Sequence, residues 1–345
     1  MKEIFVDLHI HIGCTPQGRP VKITASRGLT LPAILTTAPV KGVQVVGVVD
    51  TAVPAVLEEI DQLLRREELV EAEGCLMHPS TQTYLVMAAE VEVPVGQGLA
   101  HFLAYLPGYR AMQAFSRWLE ERVGNVHLST PRLRAPVQQL FAVAADLGGW
   151  VAPAHIFTPY KGLLGACGAD FDSLLGPAAL QCFAVELGLS SDTGLAMRLP
   201  QIAEQTFLTA SDAHSLAKIA REAMRVRVQA ISFQELRWAL EGQQSRGIVA
   251  NYGLDPRLGK YYRTFCQVCQ QALPDPPPVL TCPHDENHPV VMGVLDRIHL
   301  LERAAGKAQE GPRSRPPYIH QIPLEFIPGI GPRTRQRLVE ELGSE

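Results

Sequence analysis

Short apolar runs that stop on, or enclose, a single polar residue recur along this chain. Ile4-Phe5-Val6 leads into Asp7-Leu8-His9-Ile10-His11, and Val45-Val46-Gly47-Val48-Val49 ends at Asp50. The stretch 84–95 carries Glu90 and Glu92 on one face, and 101–106 begins on His101. The run 149–154 ends at His155, 182–188 encloses Glu186, and 207–210 leads into Ser211-Asp212-Ala213-His214. Continuous apolar runs of this length read as strands buried on both faces. Between them, 31–40, 56–70, 112–123, 136–147 and 233–241 read as helices, the first with Pro32 in its opening turn. The alternation predicts an α/β fold of parallel strands, closed or nearly closed into a TIM-like barrel; an open doubly wound sheet is the alternative.

The polar residues give this pattern its chemistry. Alternation sets Asp7, His9 and His11 on one side of their strand, and two imidazoles with a carboxylate make half of a metal site. In a barrel of parallel strands the strand ends open on one face. His9, His11, Asp50, Glu90, His101, His155, Glu186, Asp212 and His214 can therefore converge, although they span most of the chain. Nitrogen and carboxylate donors suit two or three ions of zinc, manganese or iron better than magnesium, which is expected at most as an activator.

Composition refines this picture. The chain has 345 residues, 46% hydrophobic and 19% charged, enough for a large core plus an appendage. No run of about 18 apolar residues is free of breakers, so no membrane span is expected. The net charge of −4 hides an asymmetry. Residues 1–214 hold 14 Lys/Arg against 21 Asp/Glu, whereas 215–263 hold 9 against 4, a basic stretch suited to phosphate. Of seven cysteines, Cys266, Cys269 and Cys282 lie close together. With His284 or His288 they make a structural-zinc pattern, and cysteine used in this way implies a reducing, cytoplasmic setting. Residues 303–317 read as a linker. Beyond it, Gly329-Ile330-Gly331 opens a helix bearing Arg333, Arg335 and Arg337, a backbone grip for nucleic-acid phosphate.

At the level of motifs, Asp7-Leu8-His9-Ile10-His11 resembles the first motif of the polymerase-and-histidinol-phosphatase (PHP) superfamily. Pro153-Ala154-His155-Ile156-Phe157-Thr158-Pro159, Glu186-Leu187-Gly188-Leu189-Ser190-Ser191-Asp192 and Ser211-Asp212-Ala213-His214-Ser215 resemble segments of endonuclease Q. Residues 266–301 resemble its zinc domain. The resemblance implies a distorted PHP barrel over 1–250, a zinc-binding domain over 251–302 with Cys266, Cys269, Cys282 and His288 as ligands, and a linker with a helix-hairpin-helix-like tail over 303–345. It implies a DNA-repair endonuclease that cuts 5′ of a deaminated base or an abasic site. Its partner is damaged DNA, alongside other repair or replication proteins. By carry-over, His9, His11, Glu90 and Asp212 hold one metal, and Glu90, His101 and His155 a second. Asp50 and His214 complete or orient the remaining position, Glu186 and Asp192 take part in catalysis, and Gly329, Gly331, Arg333 and Arg335 contact DNA. Trp150, Phe157 and Tyr160 are candidates for stacking on a base. One departure stands out: where the family's second motif has a histidine, this chain has Val53, with His78 or Glu92 as possible replacements. Two rival classes are a PHP-type phosphatase of a small metabolite and a DNA-binding protein whose catalytic site has decayed.

Overall fold

The computed structural model describes residues 1–274, 276–305, 314–322, 324 and 327–342. Strand β1 (Lys2–Ile10) is followed by α1 (Leu31–Val40), β2 (Val45–Val48), α2 (Pro54–Arg65), a β3 (Val70–Ala72) and β4 (Cys75–His78) hairpin, and the long β5 (Thr83–Val95). Then come β6 (Gly98–Leu106), α3 (Gly108–Glu120), α4 (Val137–Asp146), β7 (Trp150–Pro153), α5 (Phe171–Leu175), β8 (Ala184–Glu186), α6 (Thr193–Ala196) and β9 (Thr206–Leu208). β10 (Ala223–Val228), α7 (Phe233–Leu240) and β11 (Gly247–Leu254) finish the main body. The short strands β12 (Phe265–Cys266), β13 (Gln271–Ala272) and β14 (Val290–Val291) precede α8 (Val294–Ala305), β15 (Tyr318–Gln321) and α9 (Pro332–Leu342).

The expected all-parallel order does not hold. β1, β2 and β5 are parallel, but β5–β6, β6–β7 and β1–β10 are antiparallel. For β5 and β6 the physical reason is connection length: a tight turn at 96–97 permits only a hairpin. β8 and β9 form a separate parallel pair. A few backbone bonds link it to its neighbours: Ile156 N–H to Glu186 O on one side and, past β9, Ala213 N–H to His9 O with His11 N–H to Ala213 O on the other. β15 adds to the edge of the main sheet, parallel to β11. The expected linker lies, over 306–313, outside the described residues.

Strand pleating sorts the core into two layers. Val46, Val48, Leu85, Met87, Val91, Phe102 and Ala104 face the amphipathic helices, among them α2 through Val56 and Ile60 and α3 through Met112 and Phe115. The alternate residues Val6, Leu8, Ala88, Leu103, Tyr105, Ala152, Ala184 and Leu208 form a second cluster on the other face. There the Tyr105 hydroxyl donates to Leu8 O at 3.1 Å. Trp150 stacks on Tyr105, and Phe157 is buried in the helix-side layer, so neither is available to a base. The register of β1 against β2 shifts between Asp7 and Ile10. Such an irregularity re-aims side chains, and it removes Asp7 from the face that His9 and His11 share. Asp7 instead accepts the N–H groups of Ser211 and Ala220, each at 3.0 Å, and fastens β1 to the distant 211–220 segment.

The cysteine segment is a small unit of its own. Its hub is the buried Asp296 of α8, which accepts Thr264 N–H at 2.9 Å, Val279 N–H at 2.7 Å and the Arg263 guanidinium at 3.2 Å. Arg297 of the same helix donates to Leu164 O and Gly168 O, which docks this unit onto the main body.

Candidate metal centre and nucleic-acid cleft

Glu90 is the centre of the site. Oε1 lies 2.9 Å from His101 Nδ1, 3.6 Å from His155 Nε2 and 3.8 Å from His9 Nε2. Oε2 lies 3.6 Å from His11 Nε2. Asp212 Oδ1 is 3.5 Å from both His9 Nε2 and His11 Nε2. Three groups of donors compact enough for an ion result: His9, His11 and Glu90; Glu90, His101 and His155; and His11, Asp212 and His214. Every metal-ligating residue expected from the sequence falls in one of them.

Neighbouring carboxylates fix the imidazoles. His9 Nδ1 is 2.9 Å from Glu186 Oε1, and the other Glu186 oxygen accepts His155 N–H at 2.8 Å. His11 Nδ1 is 3.1 Å from Asp50 Oδ2, which also accepts Ile12 N–H at 2.7 Å. With Nδ1 as the donor in both rings, each Nε2 presents its lone pair to the shared centre. Asp50 and Glu186 thus orient ligands and join no donor group among the described residues. Asp192 is not brought to the centre: one oxygen caps α6 through Leu195 N–H at 2.8 Å, and the other lies 3.0 Å from His320 Nε2.

The backbone around these residues is under tension. His155 and Asp212 take positive φ of 29° and 45°, uncommon for residues with a side chain and frequent at functional sites. Gly188 has φ of 77°, and a Cβ there would come within 2.7 Å of His155 Cβ. Only glycine allows that approach.

Carboxylate charge dominates the site. Burial alone would lower the His9 imidazole, but the carboxylates of Glu186, Asp212 and Glu90 raise it to about 10. Burial opposes ionisation of Glu90 and Asp212, yet His101 and Lys22 hold Glu90, and His9 and His11 hold Asp212, well below the usual carboxylate range. His9 Nε2, His101 Nδ1 and Asp212 Oδ1 are buried without a hydrogen-bond partner. Such groups are costly unless a cation is shared among them. Imidazole nitrogens and carboxylate oxygens in this number fit zinc, manganese or iron.

Sequence reasoning missed a set of loop residues. Thr130 donates to Glu90 Oε2 at 2.5 Å, Ser129 lies 3.4 Å from His11 Nδ1, and Lys22 reaches both Glu90 and Thr130. They lie outside strands and helices, with no periodicity to betray them. Neither proposed replacement for Val53 enters the centre. His78 bonds Thr81, while Glu92 is held by Arg132 at 2.6 Å and by Lys161, with His101 Nε2 3.7 Å away.

A cavity of about 950 Å³ opens on the centre at His101, His155, Glu186 and Asp212. Its walls bring Lys41, Lys218, Arg221 and Lys260 together with Arg335 of α9. The basic stretch and the tail therefore both reach the cleft. Tyr160, half exposed, packs edge-on against Tyr261 on this wall, the one stacking candidate that lines the cavity. Gly329 and Gly331 have open space around them, and Arg333 is exposed. In the cysteine unit, His288 Nδ1 is 3.4 Å from Cys269 Sγ and 3.7 Å from Cys266 Sγ, and Cys282 Sγ is 3.7 Å from Cys269 Sγ. His284 points elsewhere, 3.3 Å from Gln271 Nε2.

No family model matches the chain. It is 40% identical over 348 residues to the Bacillus subtilis protein YqxK, a match that covers 100% of this chain and 88% of that one. It is 36% identical over 203 residues to MJ0043 of Methanocaldococcus jannaschii, covering 54% of this chain and 24% of the relative. Among solved structures, the lesion-specific endonuclease PfuEndoQ from Pyrococcus furiosus superposes with a TM-score of 0.82 at 28% identity, over 100% of this chain and 84% of that one. Endonuclease Q in complex with a 27-mer duplex substrate, an abasic lesion at its active site, superposes with a TM-score of 0.83 at 27% identity, over 100% and 85%.

Proposed function

The chain belongs to the endonuclease Q family of the PHP superfamily and is a metal-dependent DNA endonuclease, and from that premise we propose that it hydrolyses the phosphodiester 5′ of a deaminated base or an abasic site. The observation that carries this reading is the union of donor groups and a basic-walled cleft at Glu90, His101 and His155. Five cationic side chains among the residues lining the cavity suit a polyanionic strand better than a single phosphate group.

When bound, divalent ions would acidify a water molecule and neutralise the phosphate oxygens. His9, His11, Glu90 and Asp212 would hold one ion, and Glu90, His101 and His155 another, with His214 beside the first. Glu186 and Asp50 keep His9 and His11 in the ligating tautomer. Lys41, Lys218, Arg221 and Lys260 draw the backbone of the strand along the cleft, and Tyr160 offers a face for a base. Cys266, Cys269, Cys282 and His288 would hold a structural zinc that supplies folding energy to the small unit.

The test is cleavage of end-labelled duplexes bearing uracil, hypoxanthine or an abasic site, against an undamaged control, in protein loaded with manganese or zinc. A nick 5′ of at least one lesion, lost with chelator, is expected. Phosphate-monoester hydrolysis without any nicking would move the reading to a phosphatase. Binding without either activity would move it to a decayed enzyme.

A further inference from the structure

Lys22 stands inside the donor cluster yet belongs to none of the groups that would hold an ion. Its loop is laid across the end of β1, with Lys22 N–H donating to Ile12 O at 2.9 Å. Its Nζ donates to Glu90 Oε2 at 3.1 Å and to Thr130 Oγ1 at 2.7 Å, and its side chain is only 15% exposed. An ammonium is rarely buried this far without a purpose for its charge.

The two oxygens of Glu90 are thereby given different tasks. Oε1 faces His101, His155 and His9, all donors to ions. Oε2 is engaged by Lys22 and Thr130, with His11 Nε2 3.6 Å away. Asp50 lines one small recess with Glu90, Ser129 and Thr130, and it is already committed to His11 and the Ile12 N–H. Just beyond Asp50, Val53 is packed into hydrocarbon at 4% exposure and offers no donor. The Asp50 side of the site therefore has carboxylate charge to balance but too few ligands for an ion.

We propose that the Lys22 ammonium is a built-in cation of this centre, standing on the Asp50–Glu90 side where an additional metal ion would otherwise bind. This rests on the metal-centre reading above. Thr130 keeps its own hydrogen bond to Glu90 Oε2 when the ammonium is removed, so the carboxylate stays in place and only the neutralising charge is lost. Because it is a like charge beside the ions, it also sets how tightly they bind, and it bars an ion from the Asp50–Glu90 side.

The distinguishing measurement is manganese binding to the metal-stripped full chain, followed by electron paramagnetic resonance. A lysine that only supports the fold predicts weaker binding when it is removed. A competing cation predicts the opposite. Lys22→Met, which keeps the length of the side chain, should bind manganese about tenfold more tightly than the unaltered chain. Lys22→Arg, which keeps the charge, should leave the affinity unchanged. In a Lys22→Ala, Val53→His double variant, the ion count should rise by one. Unchanged or weakened manganese binding by a folded Lys22→Met protein overturns the proposal, and so does an unaltered chain that already holds the extra ion. If neither form binds manganese, the metal-centre reading falls with it. A normal response to Lys22→Met in a protein that cuts no lesion overturns only the proposed substrate.

Discussion

His9 and Glu186 show how one residue's role is set by another 177 positions away. Glu186 belongs to no donor group among the described residues, yet it decides which His9 nitrogen carries the proton. Glu186→Gln still accepts a hydrogen bond but withdraws the negative charge that favours a donating Nδ1. Ion affinity or single-turnover cleavage should fall by about 10- to 100-fold, while binding of a lesion duplex is retained. Replacing both His9 and His11 by alanine should abolish cleavage and again spare DNA binding, as gel-shift and nicking assays run side by side would report. The candidate donors were legible in the sequence because each ends, opens or lies inside an apolar run, and a polar residue in that position needs a partner. Lys22, Ser129 and Thr130 were not, since a loop residue carries no periodic signal and its neighbour is fixed only by the fold. Asp7 misled for a related reason: simple alternation put it with His9 and His11, and the shifted register of β1 turned its carboxylate to the Ser211 and Ala220 amides.

At the scale of elements, the edge strand β15 is held by a buried acid. Glu222 of the segment before β10 accepts Leu254 N–H at 3.1 Å, and its Oε1 is 3.3 Å from the Tyr318 hydroxyl. Burial pushes its carboxyl up to about 8 from an ordinary 4.5. The folded chain thus keeps this proton over a range in which the unfolded chain has lost it. The contribution of Glu222 is complete below about pH 4.5, shrinks as the pH rises, and is gone above about pH 8, a loss on the order of a few kcal/mol. Glu222→Gln should flatten stability over that window, read from urea midpoints at its two ends. In the cysteine unit, Cys269→Ser should expose 265–291 to protease before the main body and remove one zinc equivalent, because little else but Asp296 holds those short strands. Most of the long elements could be read from hydrophobic pattern. The antiparallel pairings could not, because apolar runs say that a strand is buried and not which way its neighbour runs. The helix expected over 56–70 ends at Arg65 and overlaps β3 only at Val70; no element was read over 71–83, where the rest of the β3–β4 hairpin lies.

Over the whole molecule, the cleft draws its cations from both ends of the sequence, Lys41 near one and Arg335 near the other. Arg335→Ala should lower the salt dependence of DNA binding, the slope of log affinity against log salt, by about 1 and leave lesion preference as it was. Fluorescence anisotropy at several salt concentrations would show it, and an unchanged slope would remove the tail helix from the interface. Charge asymmetry along the sequence pointed to such a surface, but only the fold could bring its members to one wall. The same long reach has a kinetic side. Asp7 clasps Ser211 across 204 residues, and that clasp brings His9 and His11 against Asp212. Closing so long a loop is entropically slow, whereas the helices need only local contacts. During refolding the helical circular-dichroism signal should therefore return well before the chain can capture manganese. Throughout that interval His9 and His11 would be open to capture by any stray metal ion in the solution.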